Sequence, residues 1–373
     1  MKIYYRLLSI PRIGQLVEEL FFIKNLFPEE EIIIITSDPN YHPRINKEIF
    51  KSVTRNFGLK LTNNLNFIAD RSDDDEQRDL IKFGDGFLFQ KGPKTLRKRF
   101  YDKYTGINSI FYHKLNEEEQ QQGDIIRNEL GIKANAKIVT IHCREGGYLP
   151  DLKYHTFRDN NIANSEKAID YLINQNYYVI RLGDPSMKIL NIDSSRFIDL
   201  AHSRFTHTLA ELYFISNADF HIGTCSGVDG IAQTCGIPML LINCHVPLCI
   251  WGTKYDIDLP PVFYSDKLSR DLSLPELVIS NVLTILETEK FNNKRISLIK
   301  NTADEIYESV KEMLKNITTV DYKVPMLDYL DRIDPLYNGM QRSDTYFGLH
   351  RVQNKKISDY YLNKNPGFLG IPF

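Results

Sequence analysis

Apolar and polar positions fall in blocks along this chain, and the period of the blocks changes in a regular order. Residues 3–10 form a short apolar run that closes at Pro11-Arg12-Ile13-Gly14-Gln15, after which Leu16, Leu20, Ile23 and Phe27 recur at helical spacing. That pattern predicts a strand, a tight turn and a helix. Ile32-Ile33-Ile34-Ile35-Thr36 is a continuous β-branched run, of the kind buried on both faces of a parallel sheet. A helix over 43–57 and a short strand over 65–69 are expected next, while the pattern over 80–114 predicts no particular fold. Glu117 to Leu130 reads as a polar helix with Gly131 as its C-cap.

A second alternation begins at Lys137, with strands expected at 137–142, 177–182, 197–200, 220–223 and 239–243. Helices are expected near 165–174, 207–216, 227–235 and 275–287, a parallel-sheet pattern. Ile296, Ile299, Ile306, Val310 and Leu314 place one amphipathic helix over 296–314. After Pro325 come Tyr329, Tyr337, Phe347, Tyr360, Tyr361, Phe368 and Phe373, and so aromatic a tail argues for a docked one. The expected class is α/β with two Rossmann-like domains facing a cleft, at 1–125 and 126–320, followed by the aromatic tail at 321–373. The length of 373 residues suits two domains of roughly 150 residues each.

Composition narrows the function classes. With 42% hydrophobic and 25% charged residues the chain can bury large cores, and disorder is not expected. A formal charge of -2 with both signs spread along the chain argues against a nucleic-acid partner. Five cysteines without a C-x-x-C pair indicate neither a disulfide framework nor a zinc ribbon. The start of the chain lacks a secretory h-region, and no stretch reaches the ~20 apolar residues of a membrane span. A cytoplasmic protein is expected, with peripheral association at the inner face of the membrane left open.

Two stretches carry candidate chemistry. The first is Ile141-His142-Cys143-Arg144-Glu145-Gly146-Gly147, where a strand ends in a basic, glycine-rich turn that suits a phosphate. Arg144 can grip a diphosphate with parallel hydrogen bonds and, as a catalytic group, offset the charge that develops on a departing phosphate, or simply pair with Glu145 or with a carboxylate in the other domain. The second is Ile222-Gly223-Thr224-Cys225-Ser226-Gly227, a small-residue turn feeding a helix whose free N–H groups can bind a phosphate. Arg158 with Asn160 and Asn161 either reaches phosphate and sugar hydroxyls or orders its own loop. Arg181 and Gly183 end a strand on the same sheet edge as Arg144, a place for a second phosphate contact. Asp73-Asp74-Asp75 reads first as a solvated loop and second as a metal clamp through Asp73 and Asp75. The histidines lack a zinc-protease spacing, and Thr224 stands where a nucleophile elbow needs glycine.

The order of these segments resembles the bacterial glycosyltransferases tied to surface-polysaccharide gene clusters. The segments are His142-Cys143-Arg144-Glu145, His155 to Ile162, Val179-Ile180-Arg181-Leu182-Gly183, Ile198-Asp199, Ala210-Glu211-Leu212, Ile222 to Gly227, Gly236-Ile237-Pro238 and Ile242-Asn243. The likeness covers residues 137 to 245. Arg12-Ile13-Gly14-Gln15 is similar to an Arg-x-Gly-His turn of that family, with Gln15 where histidine is usual. More distantly the chain looks like GT-B enzymes with a fucosyltransferase- or heptosyltransferase-like donor domain. That resemblance implies a nucleotide-sugar donor, a glycan or lipid-linked acceptor, no cofactor and no metal, and a tail crossing back onto the N-terminal domain. It implies that His142, Arg144, Arg158, Asn161, Arg181, Gly183, Glu211, Gly223, Thr224, Ser226 and Gly227 serve the donor, with Glu211 on ribose hydroxyls. Glu145, Glu18 or Glu19 is then the expected general base. A non-catalytic nucleotide- or glycan-binding component of an assembly complex is the competing class.

Overall fold

The computed structural model describes residues 1–8, 12–42, 45–71, 78–103, 110–147, 153–248, 252–320 and 355–370. The N-terminal sheet has five strands in the order β3-β2-β1-β5-β4. They are β1 (Lys2–Arg6), β2 (Glu31–Thr36), β3 (Gly58–Leu61), β4 (Leu80–Phe83) and β5 (Gly86–Phe89), all parallel except for the β4–β5 hairpin. The β-branched run of β2 divides by strand alternation: Ile32 and Ile34 join the main core, while Ile33 and Ile35 face the opposite side with Tyr4 and Leu88. α1 (Ile13–Leu26), α2 (Lys47–Thr54) and α4 (Pro93–Lys103) cover the main-core side, with Phe21 and Phe22 of α1 against Phe100 of α4. The segment 65–69, expected as a strand, is instead α3 (Leu65–Ala69), because the Asn64 side chain accepts the Phe67 N–H at 3.0 Å and starts a helical turn.

α5 (Glu117–Glu129) packs on α7 of the second unit, where the Tyr213 hydroxyl donates to Asp124 at 2.7 Å. The second sheet has seven parallel strands in the order β15-β11-β10-β9-β6-β7-β8. These are β6 (Lys137–His142), β7 (Tyr177–Leu182), β8 (Phe197–Asp199), β9 (Phe220–Gly223), β10 (Met239–Ile242), β11 (Ile257–Leu259) and β15 (Lys356–Ile357). α6 (Glu166–Asn174), α7 (Ala210–Ser216) and α8 (Gly227–Cys235) connect them. β12 (Val262–Ser265), β13 (Arg270–Asp271) and β14 (Ile296–Ile299) form a small antiparallel sheet, interrupted by α9 (Leu274–Ile279) and α10 (Thr288–Lys294). The single helix expected over 296–314 is two elements, the strand β14 and then α11 (Ala303–Thr318), which Thr302 and Glu305 start with a capping box.

The described part of the tail departs from expectation, while Tyr329, Tyr337, Phe347 and Phe373 lie outside the described residues. Its described part, with β15 and α12 (Asp359–Lys364), extends the C-terminal sheet and packs on α11, not on the N-terminal sheet. Lys355 makes a buried 2.9 Å ion pair with Asp258, and the Tyr361 hydroxyl donates to the Pro261 carbonyl. Nothing among the described tail residues crosses back.

Candidate functional site

β6 and β9 are neighbours in the sheet although the chain runs through β7 and β8 between them. This is the switch point, where the strand order reverses and where open α/β sheets bind their ligands at the carboxyl ends of the strands. The two strand ends are His142-Cys143-Arg144 and Gly223-Thr224-Cys225-Ser226, and α8 starts directly after the second. Across from it lies the N-terminus of α1. A Cβ on Gly14 would sit 2.6 Å from the Gly227 Cα, and one on Gly230 would sit 3.2 Å from the Gly14 Cα. The two helices therefore touch backbone to backbone through glycines. α1 has no acidic residue in its first turn and follows directly on Arg12. α8 carries Asp229 in its own first turn, so the end without an acidic residue is that of α1, and the two positive ends side by side favour an anion between them.

Side chains add to the same field. The Arg144 N–H donates to Thr224 Oγ1 at 2.8 Å, and its guanidinium pairs with Asp159. Burial and the neighbouring Arg158 charge pull the Arg144 pKa down, to about 10. Arg158 donates to the Cys225 carbonyl at 3.2 Å, and Arg12 reaches the Tyr154 hydroxyl at 3.4 Å. Lys300, at the end of β14, donates to the Phe157 carbonyl at 2.5 Å; burial is the main cause that lowers its pKa, to about 8. His155 and His245 face the same cations. Burial followed by Arg158 brings His155 down to about 4 and holds His245 well below the usual imidazole range, so both are neutral.

Beneath the turn runs a closed chain of hydrogen bonds. His221 lies between Thr140 Oγ1 (2.9 Å) and Asp229 Oδ1 (3.0 Å), Asp229 Oδ2 accepts the Ser226 N–H at 2.6 Å, and Ser226 Oγ is 2.9 Å from His142 Nδ1 and 3.2 Å from Asp229 Oδ1. Burial works to raise Asp229, and the bonds from His221 and Ser226 overcome it and hold the carboxyl below its ordinary value. An ionised carboxylate only accepts, so Ser226 donates to Asp229 and the neutral His142 donates to Ser226. Burial brings His142 down to about 4. Gly223 is required here because a Cβ would lie 2.2 Å from Asp229 Oδ1. His142, Thr224 and Ser226 thus hold the cradle in shape, and what they offer a ligand is backbone and position.

Of the residues expected on a donor, the structure brings Arg144, Arg158, Gly223, Thr224, Ser226 and Gly227 together. It revises several others. Arg181 is fully buried, pairs with Asp199 at 3.0 Å and lies 3.8 Å from Glu145, so its guanidinium braces the ends of β6, β7 and β8. Gly183 has φ +143, and a Cβ there would strike Met187 at 2.2 Å. The exposed Asn161 caps a 3₁₀ turn by accepting the Ala163 N–H. Each expected base is engaged: Glu145 accepts the Lys188 N–H at 2.7 Å, Glu18 pairs with Arg97 at 2.5 Å, and the buried Glu19 is shared by Arg71, Tyr5 and Gln15. Asp73 and Asp75 lie outside the described residues. Glu211 stands at the junction of the two units, accepting from the His207 N–H at 3.2 Å and from Asn46 of the N-terminal unit at 3.4 Å. Burial pushes its pKa up to about 7. Lys300 and His245 are additions that the sequence reading missed.

No family model and no curated protein matches the chain. Solved structures similar to it include the ADP-heptose lipopolysaccharide heptosyltransferase II of E. coli, at 13% identity over 65% of this chain and 84% of that one, with a TM-score of 0.34. A family 9 glycosyl transferase of Veillonella parvula shares 11% identity over 64% of this chain and 79% of its own, with a TM-score of 0.39. The dodecameric iron-containing heptosyltransferase TibC in complex with ADP-D-beta-D-heptose shares 13% over 85% and 77%, again at 0.39. With TM-scores below 0.5, function has to be argued from the residues of this chain.

Proposed function

We propose that this chain is a glycosyltransferase that seats the diphosphate of a nucleotide-sugar donor at the N-terminus of α8 and passes the sugar to a glycan or lipid-linked acceptor held by the N-terminal unit. The observation that carries the proposal is the convergence of two helix N-termini with Arg12, Arg144 and Arg158 at a sheet switch point, where Asp159 pairs with Arg144 and Asp229 is tied to Ser226 and His221. As the bond from sugar to phosphate breaks, negative charge grows on the departing diphosphate. Arginine and helix N–H groups aimed at that oxygen stabilise it without a metal ion. Surface-polysaccharide synthesis at the inner face of the membrane is the setting we assign. Among the described residues no helix is long and apolar enough to cross a membrane.

Arg144→Ala should lower donor hydrolysis and transfer by about a hundredfold or more, the range seen on removing one transition-state donor, and should weaken nucleotide binding. Unchanged turnover together with unchanged affinity would refute the assignment. Excess chelator should leave turnover unaltered; its loss would move the chemistry to a metal held through Asp73 and Asp75. One observation favours the non-catalytic reading: Glu18, Glu19 and Glu145 are all tied into ion pairs or backbone hydrogen bonds. Tight nucleotide binding with no turnover over a full donor panel would select it.

A further inference from the structure

Lys300 is placed with unusual care for a residue at the end of a strand. The next residue, Asn301, exchanges two hydrogen bonds with Asn243, at 2.6 and 2.7 Å, and donates to the Pro260 carbonyl at 2.7 Å, while Asn164 donates to the Asn301 carbonyl at 3.2 Å. Asn301 is itself buried. This clasp ties the end of β14 to the carboxyl end of β10 and fixes where the Lys300 stem emerges. Its ammonium has three donors, and the Phe157 carbonyl takes one.

The groups that act on Lys300 are Arg144 and Cys143 from the end of β6, Cys225 from the turn before α8, and His245 from the loop after β10. Burial raises Cys143 to about 12, so its thiol supplies no counter-charge at neutral pH, and Cys225 and Cys244 lie against each other in the same buried patch. His245 is buried, and its Nδ1 has no hydrogen-bond partner among the described residues. An ammonium lodged beside an arginine, with no carboxylate partner among the described residues, lacks there the ion pair that a buried charge normally has.

We propose that Lys300 is a ligand-contacting cation of the anion site, supplying a further positive group to the diphosphate beside Arg144 and Arg158. This rests on the reading of the α8 N-terminus as a diphosphate site. Its distinguishing property is titration: near pH 7 Lys300 carries its proton, and above its pKa of about 8 a proton must be taken up from solvent before it can pair with phosphate. Binding then weakens as pH rises from 7 to 9, a range in which the arginines, Arg144 at about 10 included, stay mostly charged.

The test is calorimetric titration of the full chain with inorganic pyrophosphate at pH 7 and pH 9, using wild type, Lys300→Met and Lys300→Arg. Lys300→Met should bind at least about tenfold more weakly at pH 7, as expected for one hydrogen bond between charged groups. The ratio of wild-type to Lys300→Met affinity cancels the ligand's own ionisation, and it should shrink by up to about tenfold from pH 7 to pH 9. Lys300→Arg should hold its affinity at pH 9. Equal affinity of wild type and Lys300→Met at pH 7, or a ratio that does not change with pH, would overturn the proposal and leave the diphosphate site standing. Absence of pyrophosphate binding to wild type would overturn both.

Discussion

Burial holds the Glu211 carboxyl at a pKa of about 7, against an ordinary value of 4.5. An acid whose folded pKa is raised contributes its full share of stability below the unfolded value, and that share is lost as pH rises through the folded pKa. The window here runs from about pH 4.5 to about pH 7, and at about 1.4 kcal/mol per unit the penalty above it is on the order of 3 kcal/mol. Glu211→Gln should therefore raise the melting temperature at pH 8 and leave it nearly unchanged at pH 4.5; an equal effect at both pH values would show that the carboxyl is not held neutral. Residues next to a strand end or a glycine turn were legible in the sequence, Arg144 and Gly223 among them, because those signals are local. Lys300 was not, since it lies far along the chain from Arg144 and was absorbed into an apparent helix. The pairing of Arg181 with Asp199 and Glu145 was not legible, because a strand-end arginine reads the same whether it faces a ligand or a carboxylate.

Helices α1 and α8 meet through Gly14, Gly227 and Gly230, and nothing larger than glycine fits at the first of these. Gly14→Ala puts a methyl group 2.6 Å from a backbone carbon of α8, which neither helix can turn away as it could a side chain. The expected cost is about 1–3 kcal/mol from overpacking, with weaker nucleotide binding as the two N-termini separate. A melting temperature equal to wild type would mean that the contact is loose. Most elements were legible from period alone, including β2, β6, β7, α6 and α8. The failures share one cause: short elements are set by caps, which outweigh hydrophobic period. Asn64 turned an apolar run into α3, and Thr302 with Glu305 started α11 four residues after a strand whose isoleucines happened to continue the helical spacing.

The molecule as a whole is two α/β sheets joined at a helix pair, with the described tail locked to the second sheet. Lys355 and Asp258 are both fully enclosed, so Lys355→Met leaves an unpaired buried carboxylate and should cost about 3–5 kcal/mol. Loss of less than 1 kcal/mol in denaturant unfolding would show that the tail is only loosely attached. At this scale the two-unit α/β class was legible because the strand–helix alternation repeats after Lys137, whereas the tail's destination was not, since aromatic content predicts docking without saying where. The central claim is that the positive field between α1 and α8 holds a nucleoside diphosphate. It is tested most directly by a thermal-shift titration of wild type and Arg144→Ala with ADP, GDP, UDP and dTDP, because a ligand that binds only the folded state raises the melting point. At least one nucleotide should stabilise wild type, with the shift largely lost in Arg144→Ala. No shift with any of the four, or equal shifts in both proteins, would contradict it.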